Sequence, residues 1–491
     1  MKIGVEVGEE TLEIHGHRGP RLLDLLREGD VYVNAACGGR GSCQKCRIQM
    51  KDGFLAVTSF DRAAFSEDEL KTGWRLSCQA LPRGSMRIRV PQVKNLKAGP
   101  QVIRHREGVP AVIGCDLGST GVVVAVGDKD GRPLIEARLL NRQVKFGDDV
   151  MTRLHAAQDR GVAPLQEAAV ATLEPCLNAL SALEPEFMAH HPLVLAAGNS
   201  AMTSFLHAWP IETLAVAPFA PARTDADETQ IGSFRILSLP LLGGFVGGDT
   251  FAAILHLESR GVAEPWMLVD IGTNTEVVLK DASGKYWVTS APAGPAFEGG
   301  NISVGMRAEP GAVDQARFRE GRWQLTTIGG DRPVGVCGSG LMDVLFEGVQ
   351  AGLIAPDGLL PDGTLVLNDQ LSLSADDIRE FQLAKSATRT ACDLLIDRAG
   401  VRPGRIYLAG AFAAHLRPES VRGLGLLPQG VEVESVGNAS LAGALTYATM
   451  TEEERAEFVT KVARMSYLLE LALQDDFSDA FVKNLELKNG Q

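Results

Sequence analysis

At 491 residues the chain is too long for a single hydrophobic core, and roughly three domains are expected. A hydrophobic content of 45% excludes a disordered protein, and a net charge of −13 argues against a nucleic-acid partner and against an anionic membrane surface. No stretch reaches the apolar length of a membrane span, and the first residues alternate like a strand rather than forming a signal peptide, so a reducing, cytoplasmic setting is expected.

Residues 2–7 and 11–15 read as two strands joined through Gly8-Glu9-Glu10, and Arg21-Leu-Leu-Asp-Leu-Leu-Arg27 as a short amphipathic helix. Val31-Tyr-Val33 leads into Cys37-Gly-Gly-Arg-Gly-Ser-Cys43-Gln-Lys-Cys46, and residues 47–51 leave it as a strand. Ser66-Glu-Asp-Glu-Leu70 reads as a capped helical turn, Arg75-Leu-Ser-Cys78-Gln79 carries a fourth cysteine, and residues 86–90 alternate as a last strand. The spacing C-x5-C-x2-C followed by a lone Cys is close to the plant-type iron–sulfur pattern. Gly38, Gly39 and Gly41 let the backbone wrap tightly, so a [2Fe–2S] cluster on Cys37, Cys43, Cys46 and Cys78 is expected. Zinc is a weaker reading, because structural zinc sites usually pair two short knuckles. Disulfides are weaker still without export. Cys115, Cys176, Cys337 and Cys392 are scattered in apolar or Gly-rich contexts and are expected as buried thiols. Residues 1–90 resemble a β-grasp ferredoxin.

Residues 91–110 are basic and bracketed by prolines, and read as a linker that would leave the cluster domain mobile. Beyond it, residues 111–255 and 256–449 carry a repeated device. Ala111-Val-Ile-Gly-Cys-Asp116-Leu-Gly118-Ser119-Thr120-Gly121 is a strand running into a small-residue turn, after which a strand resumes. Trp266-Met-Leu-Val-Asp270-Ile-Gly272-Thr273-Asn274-Thr275 does the same. Backbone N–H groups in such turns can hold phosphate oxygens, and an Asp at the strand end can hold Mg²⁺ through water. No Walker A lysine is present, and no G-x-G-x-x-G follows a strand and opens a helix, so no NAD or FAD site is evident. Gly338-Ser339-Gly340 and Gly410-Ala411 are further small-residue turns, and Gly243-Gly-Phe-Val-Gly-Gly-Asp249 is a Gly-rich approach to a carboxylate. Residues 450–491 are expected as a solvated helical tail beginning at a capped Thr451-Glu-Glu-Glu454.

The two hairpins resemble the phosphate-1 and phosphate-2 motifs of the acetate and sugar kinase, Hsp70 and actin superfamily of ATPases. That likeness implies ATP and Mg²⁺. It implies phosphate contacts from Gly118, Ser119, Thr120, Gly272, Thr273, Asn274 and Thr275. Gly338, Ser339, Gly340, Gly410 and Ala411 become candidates for adenosine or phosphate contact, with Ala411 standing where many members have a second glycine. Asp116 and Asp270 are then the catalytic hairpin carboxylates, and Asp249 or its rival Glu298 positions the water or the metal.

A ferredoxin domain joined to such a body resembles the reductive activators of corrinoid-dependent enzymes. Asn141-Arg-Gln143, Phe146-Gly-Asp-Asp-Val150, Ala197-Gly-Asn-Ser200, Ala291-Pro-Ala-Gly-Pro-Ala-Phe-Glu298 and Cys337-Gly-Ser-Gly-Leu341 share the likeness, which covers nearly the whole chain. The family implies an α+β β-grasp ferredoxin domain followed by an α/β two-lobed, ribonuclease H-like ATPase body. It implies ATP-dependent one-electron reduction of Co(II) to Co(I) on a transiently docked corrinoid protein, which reactivates a methyltransferase system. A low-potential electron donor is then required, and a homodimer is compatible with the sequence. Two other readings stand beside this one: a ferredoxin-fused small-molecule kinase, and a redox-responsive binding module clamped by nucleotide without turnover.

Overall fold

The computed structural model describes all residues except 8–9, 36–37, 42, 91–92, 96–98, 218, 411–412 and 488–491, so Cys37, Ala411 and the Gly8-Glu9 turn lie outside the described residues. The first five-stranded sheet runs Glu10–His15, Lys2–Val7, Met86–Arg89, Arg47–Asp52, Trp74–Leu76. Its first and last long strands lie side by side and parallel, Ile3 opposite Met86 and Val5 opposite Ile88, which is the β-grasp arrangement. The Leu22–Glu28 helix lays Leu22, Leu23, Leu25 and Leu26 on the inward face of that sheet, and Cys46 and Cys78 belong to the same core. Two capping boxes, Thr58 with Asp61 and Ser66 with Glu69, start the short helices. Asp61 is buried and also accepts from the Leu76 N–H at 2.8 Å, so one cap fixes the strand that delivers Cys78.

The body consists of two sheets built in the same order. In the first lobe the core strands run Pro133–Leu140, Gly121–Gly127, Val112–Leu117, Val194–Gly198, Phe234–Ser238; in the second they run Tyr286–Ala291, Thr275–Lys280, Trp266–Ile271, Arg405–Ala409, Glu432–Gly437. In both, the first three are antiparallel and the next two pair parallel. The repeat visible in two short hairpins therefore extends to whole sheets. The Gly248–Ser259 and Ala439–Thr449 helices cross where the lobes meet; a Cβ on Gly443 would fall 1.8 Å from the Ala252 carbonyl, so only glycine permits that crossing.

Each sheet gains an edge strand from a segment expected to be free. Gln101–Arg104, inside the expected linker, pairs antiparallel with Pro133–Leu140, and Val93–Asn95 pairs with Val31–Val33. Residues 93–95 and 101–104 are thus stitched to the ferredoxin domain and the first lobe respectively, where the sequence suggested a slack tether. Ser466–Leu468 pairs parallel with Tyr286–Ala291. The tail is likewise not a solvated helix pair: Leu471 and Leu487 lie in the second lobe's core, and the buried Lys385 ammonium donates to the carbonyls of Asn484, at 2.7 Å, and Glu486. Edge strands of three or four residues and carbonyl acceptors leave no side-chain pattern, which is why the sequence reading passed over them. The capped start at Thr451 is present, opening Glu452–Met465.

The ferredoxin domain is docked on the body. The Tyr32 ring packs with Val144 and Leu140 of the first lobe, and its hydroxyl donates to Asp148 at 2.7 Å. Among the described residues no helix is long and apolar enough to cross a membrane.

Candidate functional site

The parallel register brings the carboxyl ends of the core strands to one crevice, the place where open α/β sheets bind ligands. Asp116 lies level with Ala197, and Asp270 with Ala409, so Gly198-Asn199, Gly410 and Gly437-Asn438 flank the two hairpins. Gly410 sits at φ +102°, and a Cβ there would lie 2.6 Å from the Ile271 carbonyl and 3.2 Å from an Asp270 carboxylate oxygen, so this position admits only glycine. On the other side, the Asn141 amide donates to the Gly118 carbonyl at 2.8 Å and fixes the first turn.

Glu298 links the hairpins. Its carboxylate accepts from the Thr120 hydroxyl of the first lobe at 3.0 Å and from the Thr273 hydroxyl of the second at 2.9 Å. The Gly294 N–H also donates to the Thr273 carbonyl at 2.8 Å, so the 294–298 turn rests on the second hairpin.

Four carboxyl groups face this crevice, each keeping part of its surface open to it. Burial pushes Asp116 up to about 7; the Asn438 amide, donating at 2.8 Å, opposes this, and the Asp249 charge adds to it. Burial and then the charges of Asp249 and Asp116 push Asp270 up to about 7. Burial raises Asp249 to about 6 against the hydrogen bonds of Thr250. Glu276, directly across the hairpin from Asp270, is held well above the usual carboxylate range by burial, Asp249 and Asp270. Repelling carboxylates of this kind call for a cation. Among the described residues, no three His, Cys, Asp or Glu side chains converge closely enough to hold a bare metal ion.

Other predicted contacts fall elsewhere. The Thr275 side chain is fully buried, with the Thr388 hydroxyl 3.4 Å from its own, whereas Asn274 lines a small cleft with Asn199 and Gly244. Gly338, Ser339 and Gly340 open the Gly338–Gln350 helix but are buried; a Cβ on Gly340 would meet the Val313 carbonyl at 2.1 Å, so strand packing accounts for this glycine. Sequence reasoning gave no role to Glu276 or to Asn438. Glu276 carried a signal, an acid entering an apolar strand straight after the hairpin.

At the iron–sulfur end, Cys46 and Cys78 are buried side by side, and none of the described cysteines forms a disulfide. The Cys78 thiol and burial push the Cys46 thiol up, so a pair of thiolates there needs a cationic partner such as iron. The Gln79 amide approaches the Cys78 sulfur at 3.3 Å, and the Arg21 guanidinium holds the Gly39 carbonyl at 3.0 Å. A Cβ on Gly41, at φ +86°, would lie 2.8 Å from the Phe60 ring. This donor set and its glycine wrap fit a [2Fe–2S] cluster. The loop straddles the body: the Ala35 N–H donates to Asp148 of the first lobe at 3.0 Å, and Lys45 donates to the Ile302 carbonyl of the second at 2.5 Å. A cavity of about 650 Å³ beside it is lined by Cys43, Lys45, Arg47, Trp74, Asn301 and Asp377.

Comparison with known proteins agrees with this layout. Residues 5–83 match the profile of the 2Fe-2S iron-sulfur cluster binding domain, residues 111–260 the RACo middle region, and residues 264–491 the C-terminal ASKHA domain of RACo. The corrinoid activation enzyme RamQ of Eubacterium limosum is 29% identical over 98% of this chain and 97% of its own. The [Co(II) methylated amine-specific corrinoid protein] reductase of Methanosarcina barkeri is 28% identical over 50% of this chain and 49% of its own. The solved structure of a reductive activator for corrinoid,iron-sulfur protein superposes with a TM-score of 0.67 at 22% identity, covering 100% of this chain and 99% of that one, which establishes the shared fold. With its [2Fe–2S] domain, middle region and ASKHA domain in that order, the chain belongs to the family of reductive activators of corrinoid-dependent enzymes.

Proposed function

We propose that the protein uses ATP to drive one-electron reduction of a corrinoid protein from Co(II) to Co(I), restoring a corrinoid-dependent methyltransferase system. The observation that carries this reading is the pairing, in one chain, of a cysteine-bearing loop with two facing phosphate-type hairpins whose hydroxyls meet on Glu298. The names of the relatives support the substrate class.

When bound, the [2Fe–2S] cluster supplies one electron at a potential near −400 mV for plant-type clusters, roughly 59 mV of shortfall costing tenfold in equilibrium. The thiolates of Cys43, Cys46 and Cys78, with Cys37, would hold it. Thr120 and Thr273, with backbone N–H groups of residues 118–120 and 272–274, grip the nucleotide phosphates from opposite lobes. Asp116 and Asp270 would hold hydrated Mg²⁺, which would offset the phosphate charge, and Asp249, the carboxylate that Asp116, Asp270 and Glu276 all feel, would position the attacking water. Asn438 keeps Asp116 aimed. ATP then does work because the body holds its corrinoid partner differently in two nucleotide states.

The test is ATP-dependent accumulation of Co(I) on a candidate corrinoid protein, followed by absorbance with a low-potential donor present. The wild type should accumulate it only with ATP and Mg²⁺. Asp270→Ala with its cluster intact should not, and wild-type rates in that variant would remove the coupling role. ADP release with a small-molecule acceptor and no corrinoid protein would favour a kinase instead.

A further inference from the structure

Two contacts that look unrelated belong to one loop. Residues 294–306 begin on the second hairpin, through Gly294 to the Thr273 carbonyl, and carry Glu298 four residues before Ile302. The loop is packed on itself through glycines. A Cβ on Gly299 would meet Met306 backbone atoms at 2.6 Å, one on Gly300 the Pro295 ring at 2.6 Å, and one on Gly305 the Gly299 carbonyl at 2.1 Å. Ser303 is pinned at the far end, its N–H and hydroxyl donating to Asp377 at 2.5 and 2.6 Å. A loop packed this closely has no slack, so displacement at Glu298 is carried to Ile302.

At Ile302 stands Lys45, between Cys43 and Cys46 in the cluster loop, donating to the carbonyl at 2.5 Å. The other side of that loop is held by Asp148 of the first lobe through Tyr32 and Ala35. The cluster loop thus bridges both lobes, so a relative movement of the lobes would load these contacts.

Glu298 makes the contacts that the reading above gives to a phosphate: it is an anion accepting from one hydroxyl on each hairpin. A nucleotide phosphate needs the same two donors, and two anions at one pair of hydroxyls repel. We propose that Glu298 and Lys45 are positioning residues that couple the hairpins to the cluster loop. Phosphate entry expels the Glu298 carboxylate, the 294–306 loop shifts, and Lys45 leaves Ile302, releasing residues 43–46 from the second lobe for the redox partner while Asp148 keeps the other side on the first lobe. This rests on the nucleotide reading above.

The experiment uses the full chain with its cluster reconstituted, a non-hydrolysable ATP analogue and Mg²⁺. Amide exchange is followed by mass spectrometry, and binding by calorimetry on the same preparation. In the wild type the analogue should raise exchange over residues 43–47 and 301–305 severalfold. Lys45→Met, with the visible spectrum of the cluster retained, should show the raised exchange without nucleotide and, because coupling is reciprocal, should bind the analogue severalfold tighter than the wild type. Glu298→Gln, which keeps a hydrogen-bond acceptor but removes the repelling charge, should bind the analogue about tenfold tighter. Weaker binding by Glu298→Gln would show that the carboxylate serves the nucleotide, and would overturn the proposal. Binding in the wild type without any change over residues 43–47 would overturn the coupling while leaving the nucleotide site standing. Absence of binding would remove both, and the wild-type measurement holds whatever the variants do.

Discussion

The two lobes carry the same five-strand core and the same Asp-x-Gly-Ser/Thr hairpin, yet the hairpins are supported differently. The first is fixed from behind and from across the crevice: Asn141 holds the Gly118 carbonyl, and Asn438, arriving from the second lobe, holds Asp116. The residue opposite Asp116 on the returning strand is Val123. In the second hairpin the residue opposite Asp270 is Glu276, so like charges are stacked where the first lobe has an apolar side chain. The second hairpin also bears the 294–298 turn, and through it the contact with the cluster loop. A duplicated unit has thus divided its labour. The first hairpin is a braced cradle, and the second is loaded with repulsion and connected to the redox domain.

The largest effect should come from removing either hairpin carboxylate. Asp270→Asn and Asp116→Asn are each expected to lower ATP-driven Co(I) formation by roughly 100-fold or more, as loss of a preorganised charge does elsewhere. Single-turnover assays check this, and a clear asymmetry between the two would show which hairpin does the coupling. Next is the second lobe's tail. Lys385→Met removes the donor from the carbonyls of Asn484 and Glu486 and should cost about 2–3 kcal/mol in denaturant unfolding. Val102→Ala, on the first lobe's largely exposed edge strand, should cost well under that. Equal losses would mean that the two added edges matter alike.

What could be read from the sequence was whatever lies within one local segment. The cysteine spacing, the glycines beside it and both Asp hairpins needed only neighbouring residues, whereas the extension of the hairpin repeat to whole sheets emerged only from the strand order. What escaped was supplied from far along the chain. Asn438 is 322 residues from Asp116, Glu298 is 178 from Thr120, and Lys45 is 257 from Ile302. Lys45 carries no pattern because its acceptor is a main-chain carbonyl. The 101–104 strand was hidden for a related reason: it pairs through its backbone, with mostly exposed side chains, and its prolines and charge suggested a linker. Glu298 was legible as a carboxylate beside the site, but not as the group that ties Thr120 to Thr273.

A smaller effect tests the brace on the first hairpin. Asn438→Ala leaves Asp116 without its amide donor and should weaken analogue binding by about 1–2 kcal/mol, close to tenfold, as measured by calorimetry. The corresponding loss at Glu276, Ser290→Ala, removes a longer hydrogen bond, the hydroxyl donating at 3.1 Å to a carboxyl that burial and its acidic neighbours hold well above the usual range, and should change binding less.

The smallest effect is a pH dependence of the ligand-free protein, and its sign follows from the raised carboxyl groups. Asp270 and Asp116 titrate near 7 when folded but near 3.9 when unfolded. Between those values the folded chain holds protons that the unfolded chain has lost, so stability falls as pH rises from about 4 to about 7, and the penalty is complete above that range. Asp270→Asn never ionises. It should therefore match the wild type near pH 4 and exceed it at pH 8 by about 1 kcal/mol, the shift being discounted because the crevice lets solvent screen the charge. Thermal melts across this range measure the difference. Asp116→Asn should gain less than Asp270→Asn, because Asn438 already stabilises the Asp116 carboxylate and no acid faces it across the hairpin. Mg²⁺ with nucleotide should erase both gains by giving the wild-type carboxylates the positive partner they lack. Equal gains in the two variants would show that the repulsion is shared across the crevice and not concentrated on the second hairpin.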